Sequence, residues 1–526
     1  MSLSVLPVEV LEKIVISIPH IGSRRAIRLT CKPLCDVATP LVFEQFYINF
    51  TRMKEDKSHA IQFLNELSKG RRLARFIRTL YFRTLPAGSM SNSKGLWDVL
   101  VSLGKNRDTF YGTIGKLILA AVPQMEVLEN LRWKTMGKAV LRPKIMDQII
   151  HSLSNRPHIR FVSIFSLGMK QDIPCAPFHG LTHLIITGNG SLDYAPAIIA
   201  NSPNLFRLEI IMDIFPSTSS FPVLSLFGAF PDGTYSSVQQ VMLSGRTFSL
   251  DPSTVPALVL HLRNLSEFHV PLGFDVPGEF WIALRDAGVF LHRSVWKRCF
   301  ELDNSFLNYL GACRELKEVH LRLGRRNAFD EQDEQRAQFF LYNIIAMNSE
   351  SLTVLLLQPE YAGCWCVDAP MLEVLSFCTN LVYIGICVDK ERAQVKQDDN
   401  VITKLLNNLR HWNFLETLDV GAAIPIYMMV DPADTGEQRS VGEVSIDITR
   451  CVTNFQCRDP TAQMLKLQIH TDSVYGLQLR QQDHKSRIYK FTSLHISEAD
   501  TRAMKCAQGV RATGRNFGIL SSHETN

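Results

Sequence analysis

Covalent or metal chemistry would have to start from this chain's cysteines. Cys364 and Cys366 stand one residue apart in CWCVDAP, Cys378 and Cys387 follow, and Cys451 and Cys457 form a later pair. A zinc site favours about two to four residues between paired ligands, and no histidine pair lies near, so no metal is expected. A cysteine or serine nucleophile needs a positioned histidine, which spacing alone does not supply. G-x-S-x-G, H-E-x-x-H and a phosphate loop are absent from the sequence. The expectation is a chain with no catalytic residue, no metal and no cofactor, and therefore not an enzyme. One enzymatic route stays open: convergence of a histidine and a carboxylate on Cys364 or Cys366 in a common pocket.

Recognition chemistry has better material. Phe161, Phe165, Arg207, Met242, His269, His320, Arg322 and Tyr383 alternate with apolar residues in short, strand-like stretches. Tyr81, Glu209, Glu267, Glu318, Gln358 and Asp419 occupy equivalent places. Aromatic and arginine side chains anchor protein interfaces, so this set is expected to hold a protein client.

These residues ride on a phrase, Leu-x-x-Leu-x-Leu, repeated along the chain. Copies begin at Ile77 (IRTLYF), Ile114 (IGKLIL), Ile159 (IRFVSI), Leu181 (LTHLII), Leu205 (LFRLEI) and Val238 (VQQVML). They continue at Leu265 (LSEFHV), Leu316 (LKEVHL), Leu352 (LTVLLL), Leu381 (LVYIGI) and Leu415 (LETLDV). In so apolar a chain the phrase recurs by chance, so its count decides nothing. Context does: several copies follow stretches with helical spacing, among them Tyr194–Ala200, Asp303–Leu310, Gln335–Met347 and Ile402–Leu409. Helix, turn and strand with leucines inward is the unit of a leucine-rich repeat, and stacked units would form a curved parallel sheet. Two wide gaps predict hidden copies, in MEVLENLRW (Met125–Trp133) and VFLHRSVW (Val289–Trp296). A doubly wound α/β domain is the alternative, weakened because no glycine-rich phosphate loop follows any strand. Punctuated loops fall at 86–95, 216–234, 271–279 and 325–332. From about Pro425 the pattern alternates at period two, in VSIDIT, MLKLQIHT, SVYGLQLRQ and RIYKFTSLHI. It predicts antiparallel strands closing the sheet's open end.

The first fifty residues differ from the rest. Pro7 suits a helix start, Glu9 its first turn, and Val10, Leu11, Ile14, Val15 and Ile18 form an apolar stripe. A second helix fits Arg24–Thr30, and Pro33 opens a third carrying Leu34, Val37, Ala38 and Leu41. Three short helices cannot close a full core alone, so they must lean on the next domain or on a partner. Leu6, Pro7, Glu9, Leu11 and Ile14, then Leu29, Cys31 and Lys32, then Pro40, Leu41 and Phe43 resemble the F-box. With the repeats, the chain resembles the divergent F-box/leucine-rich-repeat proteins of fungi and plants.

That resemblance implies an α/β chain: an N-terminal three-helix F-box, an irregular leucine-rich-repeat solenoid with a parallel sheet, and a β-rich C-terminal cap. The domains would be 1–50, 51–424 and 425–506, with a loose tail at 507–526. It implies a substrate-recognition subunit of a Skp–cullin–F-box ubiquitin ligase, with partners in a Skp-type adaptor, a cullin and a protein client. Leu6, Pro7, Val10, Leu11, Ile14, Leu29, Cys31, Lys32 and Leu41 would meet the adaptor. Arg24 and Arg25 stand where the family usually carries apolar residues, which keeps open a repeat scaffold that binds no adaptor. An ordinary helical cap on the repeats is the simplest alternative.

Composition is consistent with this. At 526 residues, 46% apolar and 20% charged, the chain reads as folded and multi-domain. A net charge of +5 over that length gives no reason to invoke nucleic acid or an anionic membrane. The most apolar run, 374–388, is broken by Ser376, Thr379 and Asn380, so no membrane span is expected. Without a signal-like N-terminus, and with cysteines in apolar segments, the chain is expected in cytoplasm or nucleus.

Overall fold

A computed structural model describes residues 6–49, 56–70, 72–83, 107–136, 143–167, 178–212, 220–245, 247–270, 276–299, 302–324, 331–394, 400–424, 436–458, 460–472, 476–482 and 487–493. The loop predicted at 86–95, most of those at 271–279 and 325–332, and the tail at 507–526 lie outside these residues. The fold is mixed α/β and divides into two compact units, Met1–Asn264 and Leu265–Asn526. That boundary falls inside the stretch expected to be one repeat domain.

The first unit opens with three helices, α1 (Val8–Ile16), α2 (Ile21–Arg28) and α3 (Lys32–Phe43). Pro7 precedes α1 as its cap, with ψ of 147°, and its carbonyl accepts from the Val10 and Leu11 N–H groups. Seven parallel strands follow in spatial order: β1 (Gln45–Asn49), β2 (Thr79–Arg83), β3 (Asn130–Met136), β4 (Phe161–Leu167), β5 (His183–Thr187), β6 (Arg207–Ile211) and β8 (Gln240–Ser244). A small side pair joins β7 (Phe221–Pro222) to β9 (Phe248–Ser249). Helices α4 (Asp56–Ser68), α5 (Arg107–Ala121), α6 (Pro143–Ser154), α7 (Ala195–Ala200) and α8 (Val255–His261) lie between strands in the chain.

The phrase explains the sheet. Phe46, Leu80, Leu131, Val162, Leu184, Leu208 and Val241 align in register, and every one is buried. Ile48, Phe82, Trp133, Ile164, Ile186, Ile210 and Leu243 form a second buried row two residues on. Strand side chains alternate between faces, so the residues between these rows point the other way. The first leucine-type residue of each copy, such as Ile77, Leu128, Ile159 and Leu181, is buried under the turn.

A backbone device repeats with the phrase. The carbonyl of Glu44 accepts from the Arg78 and Thr79 N–H groups, and that of Arg78 from Glu129 and Asn130. Arg160, Thr182 and Phe206 do the same for the next strands, as do His292, Lys317, Thr353 and Val382 in the second unit. Each turn therefore locks the start of the strand that follows.

The second unit repeats this arrangement with β10 (Glu267–Val270), β11 (Arg293–Cys299), β12 (Glu318–Leu323), β13 (Val354–Pro359), β14 (Tyr383–Val388), β15 (Thr417–Ala422) and β17 (Gln468–Thr471). Its intervening helices are α9 (Gly278–Asp286), α10 (Asn304–Ala312), α11 (Glu331–Phe339), α12 (Ala369–Ser376), α13 (Lys390–Gln394), α14 (Val401–Asn408) and α15 (Gly436–Asn454). Inside, Trp281 packs against Phe268, Phe280, Phe306 and Tyr309. Some buried polar groups find partners in neighbouring elements. Tyr309 donates its hydroxyl to the Val289 carbonyl, Trp412 its Nε1 to Leu375, and Asn348 bridges Leu316 and Ile344.

The two hidden copies became β3 and β11, but two sequence assignments were wrong. IGKLIL is the middle of α5, where Ile114, Ile118 and Ala121 are buried at helical spacing. VSIDIT belongs to α15: Val444, Ile448 and Val452 face inward, while Ile446 between them is 60% exposed. Its apparent alternation was one buried row at spacing four plus one wet isoleucine. The C-terminal strands β18 (Leu477–Gln481), β19 (Ile488–Ser493) and β16 (Gln456–Arg458) are antiparallel, as expected. The strand they grow from, β17, instead joins β15 in parallel.

Candidate functional site

The N-terminal helices hold a small core and an apolar outer surface. Leu11 and Val15 of α1 meet Leu34 and Ala38 of α3, with Leu6, Ile27, Cys31, Val37 and Leu41 packed half-buried around them. Spacing of four on both helices makes this contact possible and forces the remaining apolar residues of α1 outward. Val8, Val10, Ile14 and Ile16 are exposed, as are Ile21 on α2 and Leu29 just beyond it, the last at 81%. Phe43 stacks on Phe63 at 5.7 Å, so α3 leans on α4 at the start of the sheet.

This sorts the residues expected to meet an adaptor. Pro7, Val10, Ile14, Leu29 and Lys32 lie on the surface. Leu6, Cys31 and Leu41 are shared between surface and core. Leu11 is inside, 2% exposed, and serves as a core residue rather than a contact. Val8, Ile16 and Ile21 were not in that set but are exposed as well. The signal was available, since a nine-residue helix with six apolar residues cannot bury them all against one neighbour. Arg24 is held by the backbone, its Nε donating to the Ile18 carbonyl at 2.8 Å and its Nη2 to Ile16 at 3.0 Å. A cation there satisfies the carbonyl end of α1. Arg25 is exposed.

The outward face of the first sheet is built from rings and cations. Tyr47 stacks on Tyr81 with centroids 4.2 Å apart. The Arg132 guanidinium lies 5.4 Å from the Tyr81 ring and 5.1 Å from that of Phe161, and Lys134 Nζ sits 4.3 Å over Phe165. His183 lies beside Phe161 and Phe206, and burial, with Arg207 nearby, holds its proton affinity down. Arg207 is paired with the buried Glu209. Met242, expected on this face, is covered to 5% and offers little to a ligand. Arg132 and Lys134 were not among the expected client residues, because their partners come from other strands.

The second unit's outward face carries paired charges. Arg293 binds Glu267 at 3.1 Å and Glu318 at 2.7 Å. His269 stands 3.6 Å from Glu267 and His320 3.9 Å from Glu318. Burial, then the charges of His269 and Arg293, push the His320 imidazole down to about 4, so it is neutral. Along the row, Tyr383 donates to Asp419 at 2.7 Å, and His470 lies 3.6 Å from the same carboxylate. Arg322 is exposed beyond them.

Cys364 and Cys366 are shifted away from thiolate chemistry. Burial raises the Cys366 thiol to about 12 and the Cys364 thiol to about 11, opposite to the shift an activated nucleophile needs. Cys366 and Cys387 pack with Ala423 in a small apolar cluster. Among the described residues no group of His, Cys, Asp and Glu could hold a metal ion, and no helix is long and apolar enough to cross a membrane.

No family model matches the chain, and no curated protein matches it. One solved structure that does match is the crystal structure of the Rad7 and Elc1 complex in yeast. It shares 10% identity over 79% of this chain and 87% of its own, with a TM-score of 0.28. A likeness that low carries no argument.

Proposed function

We propose that the chain is the substrate-recognition subunit of a Skp–cullin–F-box ubiquitin ligase, docking a Skp-type adaptor on α1 and α2 and holding a protein client on its sheet faces. The observation that carries this is the exposure of Val8, Val10, Ile14 and Ile16 on α1, Ile21 on α2 and Leu29 just beyond it, with Val10 and Ile14 sharing one side of α1. Large apolar side chains concentrated on one short exposed unit favour a protein interface, and each aliphatic side chain fully buried in a complex contributes about 1.5–3 kcal/mol. The F-box resemblance of Leu6–Phe43 names the partner. Arg24, tied to the end of α1, then needs no place in the adaptor contact. In this reading the chain transfers no group itself. It raises the local concentration of client at a transfer centre on another subunit, in cytoplasm or nucleus, where its thiols stay reduced.

The test is co-purification of the full chain with a purified Skp-type adaptor. Val10→Asp with Ile14→Asp should abolish the complex while leaving the unfolding transition in place. Leu11→Asp is unsuited as a probe, since it would disrupt the helices themselves. A folded double variant that binds as wild type, or a wild-type chain that binds no adaptor, would overturn the proposal in favour of a repeat scaffold.

A further inference from the structure

We propose that the outward face of β1–β4 seats an acidic, Asp- and Glu-rich peptide segment, an inference that rests on the receptor reading and specifies its client. In register across these strands stand Tyr47, Tyr81 and Arg132 in one row, and Arg83, Lys134 and Phe165 in the next. Phe161 completes the cluster beneath Arg132. No Asp or Glu occupies an outward position on these four strands. The contrast with the second unit is direct, because there Arg293 is flanked by Glu267 and Glu318.

Three features point to carboxylates. Arg83 and Lys134 are brought side by side by the register, and burial together with the Arg83 charge makes the Lys134 ammonium harder to keep. An anion placed between them would relieve that repulsion. Cations lying on aromatic faces have already given up part of their hydration, so a carboxylate has less water to displace. Finally, Arg offers a planar fork that matches a carboxylate with two parallel hydrogen bonds. Single-stranded nucleic acid fits less well. Base stacking requires open rings, whereas Tyr81, Phe161 and Phe165 are covered by cations and Tyr47 is stacked on Tyr81.

Fluorescence anisotropy on the full chain tests this with a labelled peptide of alternating Glu and Ser, its Gln and Ser counterpart, and an oligothymidine. The acidic peptide should bind, weaken with added salt, and lose affinity by about tenfold or more in Arg83→Glu with Lys134→Glu. Arg285→Glu with Arg410→Glu, an equal change of net charge on exposed residues of the other unit, should leave binding unaltered. If charge reversal disturbs the unfolding transition, Arg83→Gln with Lys134→Gln must still weaken binding. Equal binding of the Gln peptide, tighter binding of the oligothymidine, or wild-type binding by a folded variant would overturn the inference. Adaptor binding, measured in the same samples, separates the two claims. Peptide bound without adaptor sinks the receptor reading alone, and adaptor bound without peptide sinks this one alone.

Discussion

The two sheet faces share a backbone plan and differ in how they balance charge. In the first unit, Arg132 and Lys134 rest on aromatic rings, and no carboxylate stands on β1–β4. In the second, Arg293 is held between two carboxylates, with His269 and His320 as outer neighbours. On the second face the strand cations meet strand carboxylates, whereas on β1–β4 they meet aromatic rings. The inward rows fix the fold, so the outward positions are free to specialise separately in each unit.

That contrast can be broken by experiment. The largest expected effect is Arg293→Ala, which leaves Glu267 and Glu318 facing each other while only 13% and 19% exposed. A loss of about 2–3 kcal/mol is expected in chemical denaturation, against about 1 kcal/mol for Arg132→Ala, which removes the contacts with the Tyr81 and Phe161 rings. Equal losses would erase the distinction between the faces.

Acid should come next. His320 is neutral when folded, and the unfolded chain takes up the proton first, near the ordinary value of 6.5. Stability is therefore unaffected by this group above 6.5, falls as the pH drops, and levels below about 4. Allowing for the fifth of the side chain still in water, the loss is about 2 kcal/mol. His320→Gln, whose amide does not titrate, should flatten that part of the stability–pH curve. An unchanged slope would mean that His320 takes up its proton at the same pH whether folded or unfolded. The smallest effect is Lys134→Gln, which removes a like-charge neighbour of Arg83 and should stabilise by a few tenths of a kcal/mol at low salt. Destabilisation would show that the Phe165 contact outweighs the repulsion.

Leucine spacing made the strands legible, because each copy buries its apolar residues against its neighbours in the same register. It failed at Ile114 because Leu-x-x-Leu also describes one turn of helix, and nothing within IGKLIL chooses between the two. The choice is made outside it: the strand that pairs with β2 is β3, further along the chain. At the N-terminus the apolar residues were visible, but their directions depend on α3, whose Leu34 and Ala38 claim Leu11 and Val15. Arg132 became meaningful only once register set Tyr81 and Phe161 on either side of it.

The carbonyl that serves two N–H groups at each turn also bears on how such a chain can change its length. Residues added in a linker ahead of that turn leave the following strand in frame, and the entropic cost of a longer linker grows slowly. One residue added between Ile77 and Leu80, or at the matching point of any copy, would turn the next strand over and exchange its dry and wet sides. Descendants of this chain should therefore vary in linker size from copy to copy while the short run from turn to strand stays constant in length.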